Sequence, residues 1–319
     1  MPKMTSFSAR FFDVRRSPFV KLVVAGFKNR LIGSALILFI VVAGWLVGWS
    51  FWYEPDSLTV KNYNLKIPNL PREFVNFKIV AISDVHGGSN FITEEKIHRV
   101  VELANAENPD LVVLLGDYVS QMPFNRKQLK MPMANIADGL RGLKAKKGVY
   151  AVLGNHDGWY DNAVVRGELE RVGYRVLENE AVIIEEDGAK IRLLGLKDGL
   201  QFKDWNDYSV QAKKALEKIE PIGRIVVLEH NPDVISALLS GFPPPNDFSL
   251  ILAGHTHGGQ VNLPLIGAPI VSADKKYTIG LLEESGVQIF VTPGIGTSII
   301  PVRFRVPPEI SVLTLNTAE

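Results

Sequence analysis

Two histidines stand two residues apart in Gly254-His255-Thr256-His257-Gly258-Gly259-Gln260. The stretch follows the apolar run Phe248-Ser249-Leu250-Ile251-Leu252-Ala253, which predicts a buried strand ending in a glycine turn. On extended backbone, residues two apart point to one side, whereas a helix would splay them. The glycines beside them would let a ligand approach the backbone. The chemistry this pattern offers is that of a metal with imidazole ligands. A His-x-His pair also arises by chance, and a buried histidine is more often a core residue. The case turns on whether other strands end in matching groups.

They do. The apolar run from Phe77 to Ser83 ends in Asp84-Val85-His86-Gly87-Gly88, and that from Asp110 to Leu115 ends in Gly116-Asp117. Gly148 to Leu153 runs into Gly154-Asn155-His156-Asp157, and Arg224 to Leu228 into Glu229-His230-Asn231-Pro232. Unbroken apolar runs of this length predict strands buried on both faces. Any one Asp or His here reads as an ordinary polar turn, but five strand ends with metal-type donors do not. In α/β sheets the carboxyl ends of strands converge on one crevice. The candidates are Asp84, His86, Asp117, Asn155, His230, His255 and His257. A tetrahedral ion needs about four ligands, so this set fits two ions sharing a bridging carboxylate. A phosphate ester is anionic and repels hydroxide. Two cations would neutralise it, lower the pKa of a bridging water and hold nucleophile and ester in line.

Helices are expected between these strands. Thr93 should cap one running to about Asn108, with Ile97, Val100, Val101 and Ala104 inward. Two more are expected near residues 134–144 and 162–172, the second stopped by Gly173. The second half reads as richer in strands, with a hairpin around Asp187-Gly188, a helix near 210–219 and closing strands at 289–292 and 310–315. The region between Asp117 and residue 134 reads as a loop. This rhythm is that of a layered α/β fold with parallel pairing.

Lys and Arg total 35 against 34 Asp and Glu, so charge does not argue for a nucleic-acid partner. There is no cysteine, which excludes disulfides and thiolate ligands. Of the six histidines only His98 falls inside a helical pattern, where it reads as a plain surface side chain. From Leu31 to Tyr53 there is no charged residue, a length that spans a bilayer core as a helix. Trp45, Trp49, Trp52 and Tyr53 crowd its end, where amphipathic rings favour the interface. Lys3, Arg10, Arg15, Arg16, Lys21, Lys28 and Arg30 precede it against Asp13 alone, and Glu54 and Asp56 follow. The positive-inside rule then keeps the N-terminus cytoplasmic and the rest on the far side of the inner membrane. The expected divisions are a basic segment 1–30, a transmembrane helix 31–53, an extended juxtamembrane linker 54–74 and a catalytic domain 75–319. Residues 60–67 could add an edge strand to that domain.

The order Asp84-x-His86, Gly116-Asp117, Gly154-Asn155-His156-Asp157, His230, Gly254-His255-x-His257 resembles the calcineurin-like metallophosphoesterase superfamily. The likeness covers about Phe77 to the C-terminus. The stretch 254–260, followed by Pro293-Gly294-Ile295-Gly296 and Pro301-Val302-Arg303-Phe304, is similar to a membrane-anchored bacterial branch with phosphodiesterase members. The resemblance implies a four-layer α-β-β-α sandwich and two divalent ions; imidazole and carboxylate donors suit Mn, Fe, Zn or Ni, with Mn, Fe or Zn foremost. It implies one ion on Asp84, His86 and His257, the other on Asn155, His230 and His255, with Asp117 bridging. It further implies that His156 contacts the phosphate or protonates the leaving group, oriented by Asp157, and that Asn155 faces the substrate. The reaction would be hydrolysis of a phosphodiester, lipid- or nucleotide-linked substrates included, by in-line attack of a bridging hydroxide. A pyrophosphatase of the nucleotide-diacylglucosamine type and a non-catalytic scaffold on the same fold are the alternatives. From the residues alone, Arg303 is a further candidate, because a guanidinium grips phosphate with two parallel hydrogen bonds.

Overall fold

A computed structural model describes residues 30–201, 206–242 and 246–318. The basic flank ahead of Arg30 and the loop Pro243-Pro244-Pro245 lie outside the described residues. The chain divides into two units, Met1–Trp49 and Ser50–Glu319. In the first, helix α1 (Arg30–Gly48) is apolar all round, and the helical stretch that continues to Asp56 is long and apolar enough to cross a membrane.

The second unit holds the strands β1 (Thr59–Ile67), β2 (Lys78–Ile82), β3 (Leu111–Leu115), β4 (Gln121–Met122), β5 (Asn125–Leu129), β6 (Val149–Val152) and β7 (Arg175–Val176). They are followed by β8 (Glu180–Glu186), β9 (Ala189–Gly195), β10 (Ile225–Leu228), β11 (Phe248–Ala253), β12 (Gly280–Glu284), β13 (Val287–Val291) and β14 (Glu309–Thr317). One six-stranded sheet has the order β1-β14-β2-β3-β6-β7 and the other β12-β13-β11-β10-β9-β8. Parallel pairs run from β2 through β3 and β6 to β7, and from β9 through β10 and β11 to β13. Antiparallel partners flank both runs.

The side-chain alternation of β3 shows how the layers form. Leu111, Val113 and Leu115 enter the core between the two sheets, while Val112 and Leu114 enter the core under the helices. In β11, Leu250 and Leu252 face the other sheet, and Ile251 and Ala253 face helices of the opposite side. Helices α2 (Glu94–Ala106), α3 (Met133–Leu140) and α5 (Asn162–Arg171), with the short α4 (Asn155–Tyr160) ahead of α5, cover the first sheet. Helices α6 (Asn206–Leu216) and α7 (Ile235–Ser240) cover the second. The result is the expected four-layer α-β-β-α sandwich. As expected, Thr93 accepts a hydrogen bond from Lys96 N at the start of α2.

Two sequence expectations change. The stretch 54–74 is not a free linker: Glu54 is buried, and the edge strand expected at 60–67 is present as β1, paired in parallel with β14 along its whole length. The compact unit therefore starts at Ser50 rather than at 75. The region after Asp117 contains the β4–β5 ribbon, which short polar strands did not announce. Residues 301–305 are irregular backbone, and Arg305 has a positive φ.

Candidate metal centre

The ligand candidates arrive from both sheets. Asp84 and His86 follow β2, Asp117 follows β3, and Asn155 and His156 follow β6. His230 follows β10, and His255 and His257 follow β11. All seven metal candidates are buried. Asp84, His86, Asp117, His255 and His257 have positive φ, with values from 47 to 70°. Strands that end in a left-handed residue turn at once, which throws the side chain across the sheet edge. Asp and His tolerate this conformation better than most residues, yet five together at one place mark a constrained site.

Three groups of donors converge, each with ligand atoms within 4.8 Å of one another: Asp84, His86 and His257; Asp117, His230 and His255; and His86, Asp117 and His156. In the first, His86 Nε2 lies 3.2 Å from His257 Nε2, and His257 Nε2 lies 3.4 Å from Asp84 Oδ1. In the second, His230 Nε2 is 3.2 Å from each of Asp117 Oδ2, Asn155 Oδ1 and His255 Nδ1. Asp117 Oδ2 also stands 3.6 Å from His86 Nε2, so one oxygen faces both groups. Ligand atoms about 2.0–2.3 Å from a common ion lie about 3–3.5 Å apart, which is this spacing. Asp84 Oδ1 is buried and has no hydrogen-bond partner, a lone pair without a use unless a cation takes it. The donor set is oxygen and imidazole only, suited to borderline divalent metals. The residues present therefore fit a pair of such ions.

The surroundings fix the donors. The Nδ1 of His86 faces Val119 O at 3.1 Å and that of His230 faces Leu115 O at 2.7 Å. Donation to these carbonyls leaves each Nε2 with its lone pair toward the cluster. Asp84 Oδ2 accepts from His255 N, and Asp117 Oδ1 accepts from His156 N. Burial lowers the pKa of His86 to about 3 and that of His255 to about 4, which keeps both neutral. Burial also disfavours charge on His230, but the Asp117 carboxylate beside it prevails and raises its pKa well above the usual range. Proton and metal compete for the same seat at that nitrogen.

Glycines make the close approach possible. A Cβ at Gly154 would stand 2.3 Å from Asp117 Oδ1, and one at Gly254 would stand 2.0 Å from Ser83 Oγ and 2.7 Å from Asp84 Oδ2. A Cβ at Gly258 would meet Val306 and one at Gly259 would meet Ala268, while Gly259 itself lines the cavity.

His156 and Asp157 part company. His156 lines a cavity of about 390 Å³ together with Asp117, Asn155, Trp159, His255 and His257. Its Nδ1 donates to Gln121 Oε1 at 2.6 Å, and Gln121 Nε2 donates back to its carbonyl. The expected partner, Asp157, does not touch the ring. Its carboxylate accepts from the backbone N–H groups of Asp117, Tyr118 and Gly154 and so holds the turn that carries Asp117. Gln121 had no signature, because it sits alone on the short β4. Arg303 is also corrected. It is fully buried and donates to the carbonyls of Pro293, Gly294, Gly296 and Val306. All its side-chain nitrogens are engaged with the loop around it, and none is directed to a phosphate. His98 is exposed on α2, as expected.

Comparison with known proteins agrees with this geometry. Residues 77–259 match the family model of calcineurin-like phosphoesterases. The chain is 33% identical to the uncharacterized metallophosphoesterase YkuE of Bacillus subtilis, over 89% of this chain and 94% of that one. It is 31% identical to the phosphodiesterase YaeI of Escherichia coli over 75% and 82% of the two chains. A transmembrane protein with metallophosphoesterase domain from Danio rerio shares 27% identity over 88% of this chain and 63% of its own. The converging donors, the two sheets that deliver them and these relatives make one case: the chain belongs to the calcineurin-like phosphoesterase family.

Proposed function

We propose that this protein is a membrane-anchored phosphodiesterase, in which water attacks phosphorus opposite the leaving ester oxygen. The observation that carries the reading is Asp117 Oδ2, poised between His230 Nε2 at 3.2 Å and His86 Nε2 at 3.6 Å. On this reading Asp84, His86 and His257 hold one divalent ion, Asn155, His230 and His255 hold another, and Asp117 is shared. The ions would supply positive charge to an anionic ester and acidity to water at the site. The chain's own residues do the rest. His156, held through its Nδ1–H by Gln121, faces the cavity; protonated at Nε2 as well, as the imidazolium, it gives that second proton to the leaving oxygen and returns to the neutral ring. Trp159 and Ile299 line the cavity beside it. The name of the Escherichia coli relative supports a diester substrate. The basic residues ahead of α1 support a cytoplasmic N-terminus with the catalytic unit on the far side.

The test is a screen of mono- and diesters, bis-p-nitrophenyl phosphate included, against Mn, Fe, Zn and Ni. The reading expects diester turnover that a chelator abolishes and one of these metals restores. Turnover of monoesters alone would contradict it.

A further inference from the structure

Five aliphatic side chains stand exposed on two loops beside the cavity. Leu265, Ile266 and Ile270 lie on the loop after His257, and Ile299 and Ile300 on the loop after Gly296. Leu265 and Ile299 are almost wholly open to solvent, at 107% and 93%. A scattered exposed aliphatic needs no explanation, but a cluster beside a cavity does. The loops form one rim. Gln260 Nε2 donates to Ile300 O at 2.8 Å and to Val302 O, and Ser298 N donates back to Gln260 Oε1. Ile270, Ile299 and Ile300 also line the cavity wall, so the rim runs into the site.

Backbone conformation makes the same point independently. Ile299 has φ 58° and Leu265 φ 68°. For a β-branched residue the left-handed region is a true outlier and costs of order 1–3 kcal/mol. The chain bears that cost to hold an aliphatic side chain in solvent, where folding returns nothing.

A third observation says what covers the rim. Ser50, Phe51, Trp52 and Tyr53 form the C-terminal end of the apolar segment. Arg303 N donates to Ser50 O at 3.0 Å, and Asn90 Nδ2 donates to both Phe51 O and Pro301 O. The rim loop is thus tied to the residues at which the chain leaves its apolar segment. Phe51, Trp52 and Tyr53 are exposed, and such rings favour the bilayer interface.

We infer that the rim of Leu265, Ile266, Ile270, Ile299 and Ile300 seats in the interfacial layer of a bilayer, and that the cavity takes its phosphate ester from a lipid there. The inference rests on the phosphodiesterase reading and adds the substrate class. In the reaction the oxygen of water bonds to phosphorus, the bond to one ester oxygen breaks, and that oxygen leaves with a proton. The acyl or prenyl part stays against the rim.

The chain has no cysteine, so one introduced thiol can be labelled alone. The full chain in proteoliposomes, with Ile299→Cys carrying bimane, should be quenched by lipids brominated on their acyl chains. The same label at the exposed Lys144, in the loop between α3 and β6 at the opposite ends of the strands, should not be. The second arm compares hexadecyl and ethyl p-nitrophenyl phosphate, two soluble-chromophore diesters that differ in chain length only. The hexadecyl ester should be turned over at least about tenfold faster in kcat/KM, since each buried aliphatic group favours transfer from water. Leu265→Ser with Ile266→Ser, outside the cavity lining, should erase most of that preference and leave the ethyl ester unchanged. An unquenched label at Ile299, or equal turnover of the two esters by the unaltered chain, overturns the inference. If neither ester reacts, the phosphodiesterase reading fails, and quenching alone still decides whether the rim seats in lipid.

Discussion

Asp117 uses its two oxygens differently. Oδ1 accepts from His156 N and fixes the head of α4, while Oδ2 faces His230 and His86. His156, in the motif after β6, is positioned by Gln121 and not by Asp157, the acid that follows it. His156→Ala should therefore lower kcat by about 10²–10⁴-fold with metal content unchanged, the loss shrinking for nitrophenolate leaving groups. Gln121→Ala should produce a smaller loss of the same kind. Steady-state kinetics across leaving groups, with metal analysis, checks both; a fall in bound metal would make His156 a ligand, as its place near His86 and Asp117 allows. Arg303 calls for a different expectation. Its guanidinium serves the carbonyls of a buried loop, so Arg303→Lys should cost about 2–4 kcal/mol of stability and leave KM for the ethyl diester near normal. Thermal unfolding and kinetics of the variant decide it: unchanged Tm with a raised KM would restore a substrate role.

At the scale of elements, strands deliver donors and the turns behind them aim those donors. Gly154 lies against Asp117, so Gly154→Ala puts a methyl group at 2.3 Å from Oδ1. The variant should fold with its helices and sheets intact and bind less metal, which circular dichroism and metal analysis would reveal together. Full metal occupancy would show that the turn can yield. The strand ends were legible in sequence because long apolar runs stop abruptly at Asp, His and Asn. The helices were legible from their spacing and from Thr93. What was not legible depends on contacts far apart in the chain. Positive φ at Asp84, Asp117 and His255 follows from the turn geometry, not from residue type. The β4–β5 ribbon is polar and short, so no period marks it. The roles of Asp157 and Arg303 misled because a charged side chain near a motif reads as chemistry, whereas each of these satisfies backbone groups.

At the scale of the molecule, the apolar segment and the catalytic unit meet in sequence at Ser50, and the residues just after that point belong to the fold. Glu54 Oε1 accepts from Val306 N, and Ser50 O accepts from Arg303 N. A chain beginning at Ser50 should thus unfold at a higher temperature than one beginning at Asp56. Each buried hydrogen bond lost costs about 1–3 kcal/mol. Equal melting of the two chains would return residues 50–56 to the status of a tether. A reporter fused to the C-terminus should read extracytoplasmic, and a cytoplasmic reading would reverse the orientation taken from the basic flank. The central claim is that Asp117 joins two ions in one phosphodiesterase site. Its most direct test is metal content and bis-p-nitrophenyl phosphate turnover measured on the full chain and on Asp117→Asn. The account predicts about two ions per chain with turnover, and loss of both in the variant. An Asp117→Asn protein that keeps two ions and near-normal turnover would contradict it.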